Sequence, residues 1–125
     1  MSPAQIQKSM FLMRAEAEVY VGDGFYRFIP YNYGPFDADI YHDLDGLAAQ
    51  GLVTSVSSPT VRWKFYAVTA AGLEAADRAR AEADPTAVDY LGRVVDWISS
   101  LSFPALIRAI YARYPAYRAN SVFVG

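Results

Sequence analysis

The only histidine of the chain, His42, stands among aspartates in the segment Asp39-Ile-Tyr-His-Asp43-Leu-Asp45. A histidine beside carboxylates can serve general acid–base catalysis, and paired carboxylates can bind a divalent cation. Asp39 and Asp43 are four residues apart, so on a helix they share one face. The other interpretation is a solvated acidic face whose first aspartate complements the helix dipole. We favour this second interpretation and expect no metal ion, because the chain has no second histidine to complete a site.

Nucleophilic catalysis finds little support elsewhere in the sequence. The chain has no cysteine, which excludes thiolate chemistry and disulfides. A serine triad would need His42 between a serine and an orienting acid, and a helix face is a poor setting for that arrangement. The glycines form neither a dinucleotide-binding nor a phosphate-binding motif. We therefore expect a protein that is not an enzyme and has no cofactor.

The composition indicates a single domain that covers residues 1–125. Hydrophobic residues make up 54% of the chain and charged residues 19%, which is the balance of a globular protein. No apolar stretch is long enough to span a membrane, and the lack of cysteine fits a reducing compartment, so a cytoplasmic protein is expected. The formal net charge of -2 lacks the basic excess typical of nucleic-acid binders.

The first helix has a clear start signal. Ser2 and Gln5 can form a capping box, and Pro3 occupies the favoured first helical position. The apolar residues that follow recur at steps of three and four, which predicts one buried face. This predicted face consists of Ile6, Met10, Met13, Ala17 and Tyr20.

An aromatic-rich segment connects this helix to the one that carries His42. It predicts a short strand, Phe25–Ile29, followed by a rigid turn, Pro30–Phe36. The helix Asp37–Gln50 comes next, capped by its first residue and ended by Gly51 in a left-handed conformation.

The second half of the chain predicts a β-hairpin and three helices. The hairpin spans about residues 52–68, with strands Leu52–Val56 and Val61–Val68. The caps of the three helices are expected at Thr69, Thr86 and Ser102. The last two helices form a C-terminal extension over about residues 86–114. This order predicts a mainly α fold with a small β wing (α+β), namely a winged helix-turn-helix with extra C-terminal helices, in which helix 37–50 takes the recognition position.

Two sets of motifs resemble known families. Gly51-Leu-Val, the hairpin and then Phe65-Tyr-Ala-Val-Thr-Ala-Ala-Gly72 resemble the wing-to-helix junction of PadR and MarR winged helices, in which the threonine caps the helix and the glycine allows close packing. Gln5-Ile-Gln-Lys8, Tyr33-Gly-Pro-Phe36, the Tyr-His-Asp-Leu that follows and the tail at 110–121 resemble the YwgA-like family and its distant SocA-like (Panacea) relatives. SocA-like proteins include antitoxins and a protease adaptor, so the resemblance implies a protein partner.

DNA binding is the usual function of a winged helix, but the charges here disfavour it. Between Tyr33 and Ser58 the chain has four aspartates and neither lysine nor arginine, so a DNA phosphate would be repelled there. The candidates for nucleic-acid contact are Arg62 and Lys64 on the wing and Arg27, joined by Lys8 and Arg14 if the fold brings them to one side. The wing cations have another interpretation, as the solvent face of a hairpin.

A protein interface is the other possibility. Aromatic residues crowd the segment 20–41, and exposed tyrosines beside an acidic helix are typical of protein interfaces. The interface candidates are Tyr31, Tyr33, Tyr41, His42, Asp45 and Trp63. The expected function is that of a non-enzymatic winged-helix regulatory protein, a protein-binding adaptor or antitoxin-like module. A DNA-binding transcriptional regulator is the alternative, and a small ligand between the aromatic turn and the first helix is a third possibility. A homodimer through the C-terminal helices is also expected.

Overall fold

The computed structural model describes residues 1–60 and 63–124. The described chain is mainly helical with two small antiparallel sheets, so the predicted α+β class is confirmed at this level. The helices are α1 (Pro3–Glu16), α2 (Glu18–Val21), α3 (Asp39–Ala49), α4 (Ala70–Glu82), α5 (Pro85–Ser99) and α6 (Phe103–Arg113), followed by a short 3-10 helix, Pro115–Arg118. The strands are β1 (Ile29–Tyr31), β2 (Gly34–Phe36), β3 (Val53–Val56) and β4 (Phe65–Val68). None of the helices in the described residues is both long and apolar enough to cross a membrane.

The start of α1 agrees with the start predicted from the sequence. The Ser2 hydroxyl accepts a hydrogen bond from the Gln5 amide nitrogen at 3.2 Å, and the Gln5 side chain accepts one from the Ser2 nitrogen at 2.8 Å. Pro3 is the first helical residue. The predicted capping box is therefore confirmed.

The buried face of α1 differs from the predicted one. Met13 and Ala17 are buried as expected, but Tyr20 is 46% exposed, so its placement on that face was wrong. Helix α1 packs against both α5 and β2, so residues outside the predicted stripe are buried as well. These additional buried residues are Gln7, Lys8, Ser9, Phe11 and Leu12.

The hydrophobic core lies where α1, α5 and α6 meet. Its buried members are Phe11, Leu12, Met13, Ala17, Val94, Ile98, Leu106 and Ile110. The ring of Phe11 makes edge-to-face contacts with three aromatic rings, those of Phe28, Tyr114 and Tyr117. The apolar face of the C-terminal helices is thus used inside the monomer, where it holds α1.

The aromatic segment before α3 forms a β-hairpin, which corrects two sequence predictions. The strand begins at Ile29, so residues 25–28 are not part of it, and the predicted turn Pro30–Phe36 contains most of both strands. Ile29 pairs with Phe36 and Tyr31 with Gly34. Gly34 has φ 101°, a conformation that favours glycine, and a Cβ atom there would lie 3.2 Å from Cε1 of Tyr111.

Helix α3 begins at Asp39, two residues later than predicted. The Asp37 carboxylate still satisfies its first turn, because Oδ1 accepts a hydrogen bond from the Asp39 nitrogen at 2.8 Å. Gly51 follows the helix with φ 74°, which confirms the left-handed end that the sequence indicated.

The second hairpin joins α3 to α4. Strand β4 begins only at Phe65, so the predicted strand was too long over Trp63 and Lys64; Val61 and Arg62 lie outside the described residues. The Thr69 hydroxyl accepts from the Gly72 nitrogen at 3.1 Å, which confirms the predicted cap. A Cβ atom on Gly72 would lie 2.0 Å from the Leu52 carbonyl oxygen, which confirms the close packing expected of this glycine.

The C-terminal helices begin close to the predicted positions. Asp84, rather than Thr86, caps α5: its Oδ1 accepts from the Thr86 nitrogen at 2.8 Å. Thr86 was the wrong cap because Pro85 already occupies the first turn of the helix. Ser102 caps α6 as expected, accepting from the Ala105 nitrogen at 3.2 Å.

Candidate functional site

A cavity of about 440 Å³ lies between α1, the β1–β2 hairpin and α3. Its lining is mostly aromatic and aliphatic. The aromatic lining residues are Tyr31, Tyr33, Phe36, Tyr41, Trp63 and Phe103, and the others are Ser2, Pro3, Ala4, Gln7, Lys8, Asn32 and Gly34. Its size is that of a small-molecule site.

The aromatic rings of the lining support one another. Tyr31 stacks on Phe36 with 4.6 Å between ring centroids and an interplanar angle of 23°. Phe36 is 5.8 Å from Tyr41, and Tyr33 meets Phe103 edge to face at 5.3 Å. Such contacts hold the rings in defined positions. Tyr31 and Tyr33 are nevertheless 46% and 44% exposed, so their free faces are available to a ligand or partner.

The C-terminal tail fixes the hairpin that supplies these rings. The Val122 nitrogen donates to the Asn32 carbonyl at 2.9 Å, and the Asn120 side-chain amide donates to the Pro30 carbonyl at 3.3 Å. The Tyr111 hydroxyl donates to Ser121 Oγ at 2.6 Å. The hairpin is therefore held in place by residues 90 positions later in the chain.

Gln7 attaches α1 to the start of α3 at the base of the cavity. Its Nε2 donates to the Asp37 carbonyl at 2.9 Å, and its Oε1 accepts from the Asp37 nitrogen at 3.0 Å. Both hydrogen bonds are buried. Gln7 is only 2% exposed and binds the Asp37 backbone through both ends of its amide, so its part in the cavity is structural.

Lys8 is the unusual member of the lining, because its side chain is only 3% exposed. Its Nζ donates one long hydrogen bond, 3.4 Å, to the Pro35 carbonyl, although an ammonium has three donors. It forms no ion pair with any carboxylate of the described residues. Burial lowers the pKa of Lys8 to about 8, so the amine is still mostly protonated at neutral pH. The cavity thus contains a buried positive charge that has no counter-charge in the part of the chain that the structure describes.

The segment just before β4 contributes Trp63 to the far side of the cavity. The Met1 nitrogen donates to the Tyr66 carbonyl at 2.6 Å, and the Tyr66 nitrogen donates to the Met1 carbonyl at 2.9 Å. This exchange joins the start of α1 to the edge of β4 and holds the β3–β4 hairpin beside the cavity. Trp63 is 46% exposed there.

A second, open and acidic groove of about 630 Å³ lies on the other side of α3. Its lining residues are Asp23, Gly24, Phe25, Tyr26, Arg27, Asp37, Asp39, His42 and Asp43. The Tyr26 hydroxyl donates to Asp43, and both burial and this hydrogen bond raise the pKa of Tyr26. Among the described residues, no group of three or more histidine and carboxylate side chains is arranged to hold a metal ion.

The predicted interface residues separate into two groups. Tyr31, Tyr33, Tyr41 and Trp63 all line the aromatic cavity. His42 lies in the acidic groove, and Asp45 is exposed on α3 and lines neither feature.

The predicted nucleic-acid contacts that the structure describes lie in different surroundings. Arg27 lines the acidic groove, and Lys64 is exposed ahead of β4, outside both lining sets. Arg62 lies outside the described residues. Lys8 was to join these cations only if the fold brought them to one side; the structure instead buries it against β2.

Sequence reasoning did not predict the burial of Gln7 and Lys8, the two polar residues at the base of the cavity. A signal was present in the sequence. Residues 10–13 are four consecutive apolar residues that together occupy all sides of α1, and such a run indicates a helix that is covered on more than one side. A polar residue one or two turns before such a run is then a candidate for burial. Phe103 was missed because its contact with Tyr33 joins residues far apart in the sequence.

No model of a known protein family matches the chain, and a comparison with curated proteins gives no match.

Proposed function

We propose that the chain is a non-enzymatic winged-helix regulatory protein that binds a protein partner through the rim of the aromatic cavity. The observation that carries this proposal is the convergence of Tyr31, Tyr33, Tyr41 and Trp63 on one cavity. Three of them are between 44% and 46% exposed, and half-exposed aromatic rings in a supported arrangement are the usual anchors of protein interfaces. An adaptor or antitoxin-like module, as the SocA-like resemblance implies, would use such a surface.

The order of elements around the second hairpin supports the winged-helix part of the proposal. Helix α3 ends at a left-handed Gly51 and is followed by the hairpin and by α4. The Thr69 hydroxyl also donates to the Gly51 carbonyl at 2.6 Å, so the end of α3 and the start of α4 are tied together. In this arrangement α3 takes the recognition position and β3–β4 the wing.

The non-enzymatic part rests on the surroundings of the single histidine. His42 is exposed on α3 in an open groove, whereas catalytic bases work beside a nucleophile or substrate in a site that excludes water. Among the described residues, no serine, threonine or tyrosine hydroxyl is hydrogen-bonded to His42.

DNA binding is the weaker proposal. The exposed residues of α3 include Asp39, Asp43 and Asp45, which repel phosphate. The burial of Lys8 also removes one cation from the surface on which the DNA alternative depended.

The test compares partner capture by matched variants. The double variant Tyr33→Ala/Trp63→Ala removes two anchors of the cavity rim, and Trp97→Ala removes a tryptophan of similar exposure, 42%, on α5. We expect a protein partner that is retained by the wild type and by Trp97→Ala and is lost with the double variant, by at least about tenfold in affinity.

A partner retained equally by all three proteins would contradict the proposed surface. A DNA mobility shift at moderate salt that disappears in Arg62→Glu/Lys64→Glu, with no effect of the aromatic double variant, would instead favour the DNA-binding regulator.

A further inference from the structure

The aromatic cavity has a chemical property that a protein interface does not require. Its lining contains one ionised group, the Lys8 ammonium, and no aspartate or glutamate among the described residues. Its other polar side chains are the tyrosine hydroxyls, Ser2, Asn32 and the occupied amide of Gln7. The cavity is therefore electropositive, although the chain as a whole carries a net charge of -2.

From the size of the cavity, its aromatic lining and the unpaired ammonium at its base, we infer that it binds a small organic monocarboxylate with an aromatic body. The carboxylate pairs with Nζ of Lys8, and the apolar body lies among the rings of Tyr31, Tyr33 and Trp63. This inference goes beyond the proposed protein-binding function and does not depend on it.

The charge decides the class of ligand. A cavity lined by several aromatic rings is by itself a good site for a quaternary ammonium, because ring faces attract cations. A fixed ammonium in the same cavity repels such a ligand and attracts an anion. A neutral aromatic molecule could fill the space, but it would add no negative charge, and the Lys8 ammonium would keep its single hydrogen bond of 3.4 Å to the Pro35 carbonyl.

The energetics favour a carboxylate ligand, because it supplies a counter-charge to Lys8. Burying an ammonium is costly, and in this protein the fold has already desolvated Lys8, which is 3% exposed. A ligand carboxylate must lose only its own hydration before it forms a charge-assisted hydrogen bond. Because the hydrogen bonds of Gln7 and the pairing of β1 with β2 already fix the cavity walls, little ordering is needed on binding.

The site is also built on rigid elements rather than on a loop. Lys8 lies in the second turn of a capped 14-residue helix, and its hydrogen-bond acceptor, the Pro35 carbonyl, belongs to a strand whose proline is fully buried. Gly34, with φ 101°, brings the hairpin backbone close to Tyr111 and to the Lys8 stem, since a Cβ atom there would lie 3.2 Å and 3.8 Å from these side chains.

The test uses calorimetric titration with three probes that share one aromatic body: 2-naphthoate, the neutral 2-naphthamide and the cationic (2-naphthylmethyl)trimethylammonium. On the wild-type protein we expect 2-naphthoate to bind at least about tenfold more tightly than the other two. This comparison needs no variant, so it does not depend on the folding of one.

Two variants then locate the charge. Lys8→Met keeps the length of the side chain and removes the ammonium, and Lys64→Met makes the same change at an exposed lysine outside the cavity lining. We expect Lys8→Met to bind 2-naphthoate no better than 2-naphthamide, whereas Lys64→Met binds as the wild type does.

Equal affinity of the wild type for the acid and the amide would overturn the inference, and so would tighter binding of the cation. Binding of 2-naphthoate that survives in Lys8→Met, or no binding of any probe up to about 5 mM, would overturn it as well.

Discussion

Replacing Lys8 by methionine should make the protein more stable, and the size of the effect follows from the burial of the ammonium. Burial lowers the pKa of Lys8 from 10.5 to about 8. Between these two values the unfolded chain binds the proton and the folded chain does not. Stability therefore rises as the pH increases from 8 towards 10.5, and the charged ammonium costs the folded state about 3 kcal/mol near neutral pH.

The variant removes this cost but also leaves the Pro35 carbonyl without its donor. A lost hydrogen bond of this kind costs about 1 kcal/mol. Lys8→Met is therefore expected to be about 2 kcal/mol more stable than the wild type near neutral pH. The advantage should shrink to about zero at about pH 9.5, because most of the wild-type protein is then neutral at Lys8.

Urea unfolding of the wild type, Lys8→Met and Lys64→Met at the two pH values measures these differences. Burial also raises the pKa values of Tyr26, Tyr41 and Tyr114, but these residues are common to all three proteins and cancel in the comparison. Lys64 is exposed, so Lys64→Met should stay within about 0.5 kcal/mol of the wild type. A destabilised Lys8→Met protein, or a difference that does not change with pH, would refute the idea of a buried unpaired charge.

Three further substitutions test the contacts around the cavity and the hairpin by the same unfolding measurement. Gln7→Ala leaves the buried Asp37 N–H unpaired and removes one of the two donors to the Asp37 carbonyl, the other being the Ile40 nitrogen, and should cost about 2 kcal/mol. Gln50→Ala removes one exposed bond and should cost less than about 1 kcal/mol, so equal losses would contradict the structural role of Gln7. Gly72→Ala places a Cβ atom 2.0 Å from the Leu52 carbonyl oxygen and should cost about 3 kcal/mol or more. Gly46→Ala, with no atom within 4 Å of the added Cβ, should instead stabilise α3 by up to about 1 kcal/mol. A Gly72→Ala protein as stable as the wild type would refute the close approach. Ser9→Ala removes a buried hydroxyl without a partner in the described residues and should be neutral or stabilising by about 1 kcal/mol; a loss of more than that amount would mean that the hydroxyl has a partner.

The features that the sequence predicted correctly are those that depend on a few neighbouring residues. The caps at Ser2, Thr69 and Ser102 and the left-handed Gly51 all involve contacts within four residues along the chain. Gly72 was identified through its place in a known junction pattern. Local hydrogen-bond chemistry fixes these positions wherever the helix is packed.

The features that the sequence did not predict depend on distant partners. Lys8 is buried by a strand 27 residues later, and Gln7 is bound to a peptide 30 residues later. Hydrophobic periodicity treats both as solvent-facing, because it assumes that one face of the helix is covered. The crowding of aromatic residues between 20 and 41 predicts an interface, but the meeting of four candidates in one cavity depends on how the two hairpins, β1–β2 and β3–β4, approach α1.

Two features of the aromatic cavity leave interactions unmade. One is the Lys8 ammonium, which is buried without a counter-charge among the described residues. The other is the set of rings that includes Tyr31, Tyr33 and Trp63, which are large and aromatic and stay nearly half exposed. The neighbouring Gln7 amide and Asp37 carboxylate each make two hydrogen bonds, whereas the buried Ser9 hydroxyl, outside the cavity lining, has no partner among the described residues. A ligand that supplies a negative charge and an apolar body would satisfy both features at once, and its binding would stabilise the folded state. Local departures from an otherwise self-consistent fold are expected at functional sites, so their coincidence here is a stronger argument for the cavity than its volume alone.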